Sequence, residues 1–330
     1  MLTDLRDLVG GAGPWFTIAI PTPSHLDDAR HRYEVEWKNA RTALSSTWDR
    51  DDLLSVDRTV AQLPHDGGEA LVVVHSADGR SLFEFLPEPI AASMTAEGPV
   101  PRLAAIIEGR QRVVPHVVVE TDRAGADIHA FDRGHVMGTG RVDGETLHIH
   151  RGHPGGWAQR RFQHRAENTW ERNADDIASA VADTDQRVGA EMVFVAGDVR
   201  AQTLVIDSLP ERVRTHTVKI EAGSPEGIAD EVARHLADHV ARRTRDLAEQ
   251  VKSRLGSGSA STDTAEITEA LTAGRVEHLL VHDDGSDGPM TDGTRVVDAA
   301  VIAALCSDAD ITVVPGLAIL DGPIAALLRW

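Results

Sequence analysis

Apolar and polar positions switch between two periods along the chain, and the switches outline its elements. Residues 15–20, Trp-Phe-Thr-Ile-Ala-Ile, are an apolar run closed by Pro21 and Pro23, which predicts a buried strand. Over 26–48, Leu26, Ala29, Tyr33, Trp37, Ala40 and Leu44 recur every three or four residues, the period of an amphipathic helix. A second helix follows over 51–63. Gly67-Gly68 turns into a strand over 70–75, and Ala77-Asp78-Gly79 folds it back on 81–86 as a hairpin. The proline-rich stretch 87–101 is expected to interrupt regular structure and to close a first α/β domain, residues 1–112.

A new pattern starts at Val113. The β-branched run 116–121, a turn over 122–125 and the alternation 127–131 predict strands, continued as a meander through Val136, 141–142 and 146–149, with Gly144 at a turn. After Gly152-His153-Pro154-Gly155-Gly156 the period changes. From Ala158 to Val181 the apolar positions Phe162, Ala166, Trp170, Ala174, Ile177 and Val181 form a helical stripe. A strand over 192–196, a helix over 199–209 stopped by Pro210, a strand over 213–220 and a long charged helix over 228–255 complete a central domain, residues 113–255. Gly256-Ser257-Gly258-Ser259-Ala260-Ser261 reads as a flexible linker, 256–261. Residues 262–330 then form a third α/β domain: a helix over 267–273, strands over 276–281 and 311–314, a helix over 296–306, and closing segments 315–319 and 324–330. Its glycine-rich acidic loop, 283–292, is expected to be mobile.

Composition narrows the class. With 52 acidic against 33 basic residues in 330, the formal net charge is −19, which argues against a surface coated all over for nucleic acid. Cys306 is the one cysteine, so no internal disulfide forms; it lies in an apolar helix and is expected to be buried rather than nucleophilic. The first sixteen residues carry charges and no apolar core of a secretory signal, and the runs 71–74 and 117–119 fall far short of the ~20 residues that span a bilayer. A cytoplasmic protein with no membrane partner is expected.

Against this acidic background, residues 146–165 contain Arg151, Arg160, Arg161 and Arg165, the histidines His148, His150, His153 and His164, and no acid. Such local sign reversal is the footprint of polyanion contact, and a glycine-rich loop opening a helix adds a helix N-terminus that favours anions. Gly155-Gly156 permits close backbone approach, and Trp157 beside the arginines suits stacking on an unpaired base. The candidate RNA-binding residues are Arg151, His153, Gly155, Gly156, Trp157, Gln159, Arg160, Arg161, His164 and Arg165. The histidines have no acid or cysteine nearby to complete a metal site. Gly134, Gly138 and Gly140 do not have the spacing of a nucleotide loop, and G-x-S-x-G is absent. No metal or cofactor is therefore expected. Trp15, Trp37, Trp48 and Trp170 read as core.

The run 155–168, Gly-Gly-Trp-Ala-Gln-Arg-Arg-Phe-Gln-His-Arg-Ala-Glu-Asn, followed by a long amphipathic helix, resembles the central domain of the archaeo-eukaryotic class-1 release factors and Pelota, with Arg161-Phe162 matching their Arg-Phe pair. The segments Gly316–Ile319 and Gly322–Trp330 resemble the end of that family's ribosomal-protein-like C-terminal domain. The N-terminal strand, Pro-x-Pro and helix with Arg30 and Trp37 are similar to its bacterial branch, the Balon-type ribosome hibernation factors. The resemblance covers essentially the whole chain. It implies a three-domain, release-factor-like α/β fold with mixed sheets flanked by helices. It also implies a 70S-ribosome partner, with contacts to the rRNA of the A site and peptidyl-transferase centre, and elongation factor Tu as a partner of the C-terminal domain. The sequence departs from the family at Trp157, where release factors carry the glutamine that helps position water, and it lacks the Asn-Ile-Lys-Ser loop of stop-codon readers. The resulting expectation is a non-catalytic hibernation factor. The alternatives are a peptidyl-tRNA hydrolase or rescue factor using the same tip, and an RNA-binding adaptor unconnected with the A site.

Overall fold

A strand covered on both faces needs apolar residues at consecutive positions, because successive side chains point to opposite sides. The computed structural model describes residues 2–22, 28–44, 48–122, 125–132, 135–143, 157–286, 288–291, 293–314 and 322–329; of 135–136 and 157–169 it describes the backbone. The architecture is mixed α/β, with several sheets flanked by helices. Contacts divide the chain into two compact units, residues 1–111 with 243–330, and residues 112–242.

The first unit begins with α1 (Thr3–Val9), β1 (Trp15–Pro21), α2 (Ala29–Thr42), α3 (Arg50–Gln62), β2 (Ala70–Ser76), β3 (Ser81–Leu86), β4 (Met94–Gly98) and α4 (Ala104–Arg112). The strands form an antiparallel sheet in the order β3-β2-β1-β4. Phe16, Ile18, Leu71 and Val73 pack with Tyr33 and Trp37 of α2 and Val56 and Val60 of α3. Trp15, Ala19, Val72 and Val74 face the other way, toward Leu5 and Leu8 of α1 and Ile106 and Ile107 of α4. β4 corrects the expectation that 87–101 interrupts structure. Pro87, Pro89, Pro99 and Pro101 flank the strand, and β4 lies at the sheet edge, where it pairs with β1 from Ala19↔Met94 to Trp15↔Gly98. Helices α1 and α4 were also not anticipated. Their charges pair: Arg110 of α4 donates to Asp4 of α1 at 2.6 Å and to Glu84 of β3 at 2.5 Å, and the bond from Arg110 holds the Asp4 carboxyl below its ordinary pKa.

The second unit contains β5 (His116–Thr121), β6 (Gly125–Asp132), β7 (His135–Asp143), α5 (Trp157–Val188), β8 (Met192–Gly197), α6 (Val199–Ser208), α7 (Glu211–Arg214) and β9 (Thr217–Lys219), and α8 (Pro225–Leu255) starts in it. Its sheet has the order β7-β6-β5-β8-β9; β5, β8 and β9 run parallel and β6 and β7 antiparallel. Val117, Val119, Val193 and Val195 face α5 and α6, whereas Val118, Phe194 and Ile220 face Ile228 and Val232 of α8. The strand expected over 213–220 is instead helix α7 followed by the short β9. Val213 is buried from the helix, not from the sheet.

The rest of the first unit comprises β10 (Ala260–Ser261), α9 (Thr264–Thr272), β11 (Val276–Val281), β12 (Met290–Thr291), β13 (Thr294–Arg295), α10 (Val296–Cys306), β14 (Asp310–Val313) and β15 (Ile324–Leu328), with a sheet in the order β10-β15-β11-β14. The stretch expected to be a flexible linker ends in buried β10, which pairs Ala260↔Leu327 and Ser261↔Ala326. Cys306 is exposed, correcting its expected burial, because it occupies the outward side of the last turn of α10. The edge strand β14 is closed by one side chain: the Gln111 amide donates to the carbonyl of Val313 and accepts from its N–H. The expected strand over 146–149 and the segment 315–319 lie outside the described residues. Among the described residues no helix is long and apolar enough to cross a membrane.

Within the acidic loop, Asp283 is partly buried and turned toward an ion cluster. Arg295, with 5% of its side chain exposed, bridges Asp283 at 2.5 Å and Asp298 at 3.2 Å, and Arg102 lies 3.9 Å from Asp298. Burial pushes the Asp298 carboxyl up to about 6 against the opposing pull of Arg295 and Arg102. A carboxyl whose pKa is higher folded than unfolded stabilises the fold below the unfolded value, and that contribution is lost as pH rises through the folded one. Urea unfolding should therefore show the wild type losing ~3 kcal/mol relative to Asp298→Asn between about pH 4 and pH 7. Parallel pH profiles for the two proteins would contradict this assignment.

Candidate nucleic-acid interface

Two constellations stand out in the second unit, both built on α5. This helix is 32 residues long, so its axis spans ~48 Å at the usual rise. Among its residues whose side chains are described, Asn173, Ala174, Ile177, Ala178, Val181 and Ala182 are buried, which fixes the side that meets the sheet. At about 100° per residue, that stripe extends upstream through Ala166, Gln163 and Gln159. Arg161 and Arg165 fall on the opposite face of the helix with Trp157 beside them, whereas Arg160 and His164 are five full turns before the buried Ala178 and Ala182 and fall in line with that edge of the stripe. Backbone position thus brings Trp157, Arg161 and Arg165 together and sets Gln159 apart from them. Arg151, His153, Gly155 and Gly156, with His148 and His150, lie outside the described residues.

The charge along α5 is uneven. Residues 157–165 hold three arginines and no acid, whereas 166–188 hold six acids (Glu167, Glu171, Asp175, Asp176, Asp183, Asp185) against Arg172 and Arg187. No acid occupies the first turn. Cations at a helix N-terminus oppose the dipole by ~0.3–1 kcal/mol each, so a bound anion would relieve this end of the helix.

The second constellation lies where β5 and β8 end. Gly197 adopts φ +113°, and a Cβ there would sit 2.0 Å from the carbonyl oxygen of Thr121. This close approach lets the Asp198 N–H donate to Thr121 at 3.0 Å. The Asp198 carboxylate then caps α6, accepting from the N–H groups of Arg200 at 3.0 Å and Ala201 at 3.2 Å. The cap places Arg200 over the Trp170 ring, with the guanidinium carbon 4.6 Å from the centroid. Beneath the pair runs a narrow slot lined by Thr121, Asn173, Ile177, Leu204 and Val205. Trp170, expected in the core, is half-buried and lines this slot. Arg200 was not singled out, although Gly197-Asp198 ahead of an apolar helical run is the local signal for the turn that positions it.

Residues 115–257, which include both constellations, match the family described as Bacterial archaeo-eukaryotic release factor family 2. Over 320 residues the chain is 26% identical to Uncharacterized protein Rv2629 of Mycobacterium tuberculosis, covering 93% of this chain and 85% of that one. Among solved structures it is similar to ribosome-bound archaeal Pelota, at 16% identity over 100% of this chain and 94% of that one with a TM-score of 0.44. It is also similar to Dom34 of S. cerevisiae, a translation termination-like factor, at 10% identity over 86% and 92% with a TM-score of 0.45.

Gly197→Ala tests the turn. The added methyl group meets backbone, which cannot swing aside, so the substitution should cost about 2 kcal/mol or more in urea unfolding. A change within about 0.5 kcal/mol would mean that the turn is not held as described.

Proposed function

We propose that the protein is a ribosome-associated translation factor whose basic tip, residues 151–165, contacts rRNA. In this reading residues 1–112, 113–255 and 262–330 act as N-terminal, central and C-terminal domains, the protein occupies a vacant A site, and the tip reaches the peptidyl-transferase centre. The C-terminal domain is the part that would meet elongation factor Tu. The observation that carries the reading is the run of arginines with no acid among residues 157–165 at the start of α5, on a chain of net charge −19. The family match over residues 115–257 supports it.

Hydrolysis of peptidyl-tRNA needs a water held against the ester by oriented donors. Trp157 has no carboxamide to orient water, and Gln159 falls on the far face of α5. These features favour occupancy without catalysis, as in a Balon-type hibernation factor. The Gly155-Gly156 pair favours the second reading, rescue of stalled ribosomes by peptidyl-tRNA hydrolysis.

Cosedimentation with 70S ribosomes and a peptidyl-tRNA release assay separate these readings. The wild type should pellet with ribosomes and lose binding steeply as salt rises from about 50 to 200 mM. Arg160→Glu with Arg161→Glu should abolish pelleting, and Trp157→Ala should weaken it without creating release. Release above background that Gly156→Ala removes would favour rescue. Unchanged pelleting of the double variant would remove the tip from the contact.

A further inference from the structure

We infer that the edge of β14 takes an extended peptide, paired antiparallel, with an apolar residue opposite Ile311 and a basic residue opposite Asp310. The site is a cleft within the first unit, between α1 and α4 on one side and the part of α8 from Arg243 onward on the other. It holds about 580 Å³ of free space. Ligand pockets hold roughly 300–1,000 Å³.

Successive side chains of a strand point to opposite faces, so three consecutive residues line one cavity only along the strand's edge. Asp310, Ile311 and Thr312 all line this cleft. Among the described residues β14 pairs with a strand on one side only, with β11. Two bonds fix the direction of its main-chain groups. The N–H of Val314 donates to Val281 of β11 at 2.8 Å, whereas the N–H of Val313 donates to the Gln111 side chain at 2.9 Å. Direction alternates along the strand, so the N–H and carbonyl of Ile311 point with those of Val313, away from β11 and into the cleft. Ile311 is 8% exposed because its side chain belongs to the apolar cluster that includes Ile107; its edge is what meets the cleft. Gln111 covers Val313 by donating to its carbonyl and accepting from its N–H. One residue of an antiparallel peptide offers Ile311 the same two groups.

The charges of the cleft select the peptide's side chains. Two arginines and two aspartates line it, a neutral set that favours an uncharged main chain over a phosphate strand. Arg6 pairs with Asp308 at 2.5 Å, and Arg243 donates to the carbonyl of Gln111 at 2.8 Å. His278 is hydrogen-bonded to Thr312 at 2.8 Å, and burial holds its pKa below the ordinary value. Asp310 is exposed and has no ion pair among the described residues. A basic side chain directly opposite it makes an opposite-charge cross-strand pair. The peptide residue opposite Ile311 turns its side chain the other way, toward Leu2 and Ile107, and is therefore apolar.

The test titrates the ¹⁵N-labelled full chain with the capped tetrapeptide acetyl-Thr-Val-Lys-Thr-amide, whose valine and lysine fall opposite Ile311 and Asp310 in the antiparallel register. The Ile311 amide resonance should shift and saturate with a Kd of about 1 mM. N-methylation of the peptide's valine removes the donor to the Ile311 carbonyl and should abolish the shift. Asp310→Lys, an exposed change that leaves the fold intact, should weaken binding by about 2- to 30-fold. An Ile311 resonance unmoved by the tetrapeptide would overturn the inference. So would equal binding of the N-methylated peptide, or equal affinities of wild type and Asp310→Lys. No readout here involves RNA, so each outcome leaves the reading of the basic tip untouched.

Discussion

Arg160, Arg161 and Arg165 stand within the first nine residues of α5, at the end of the helix where the dipole disfavours positive charge. No acid occupies the first turn. Glu167, the nearest acid further along the helix, lies six residues past Arg161, ~9 Å along the axis, and two past Arg165, ~3 Å. The helix tolerates this because its stability is supplied elsewhere. Ala174, Ile177, Ala178 and Val181 in its second half are buried against Val117, Val119, Val193 and Val195. A long helix anchored by one half can carry an electrostatically unfavourable end, and an unfavourable end is where an anionic partner gains most.

Much of this architecture was legible because the strands are covered on both faces. β1, β2, β5 and β8 appear in the sequence as unbroken apolar runs, and each alternates between two cores, one on either side of its sheet. The elements that escaped notice are those whose sequence looks solvated. In α1 and α4, Asp4 and Arg110 are the signs of a surface helix, yet they point at each other and at Glu84. In the acidic loop, the partly buried Asp283 pairs with the buried Arg295, twelve residues away. Period and composition cannot distinguish a charge that faces water from one that faces a distant partner.

The site divides in the same way. The sign reversal over 146–165 is a property of neighbouring residues and can be read directly. Helical period then sorts those residues into faces, which separates Gln159 from Arg161 and Arg165 once the helix is known to begin at Trp157. The Trp170 slot could not be read in that manner. Trp170 sits on the packing stripe whether it is core or rim, and only the approach of Arg200, thirty residues on, decides between them. That approach depends on a backbone contact at Gly197, which no side-chain pattern records.

A net charge of −19 and a cationic tip are not in conflict, because screening limits how far each is felt. At physiological ionic strength the Debye length is ~8 Å, about the distance along α5 from Arg161 to Glu167. A polyanion meeting the first two turns of the helix therefore experiences mostly the arginines. One meeting the helix further along, where six acids oppose two arginines, is repelled. On the proposed reading, charge therefore favours an approach to RNA that leads with the start of α5. The acidic remainder of the chain would then act against other orientations instead of adding affinity.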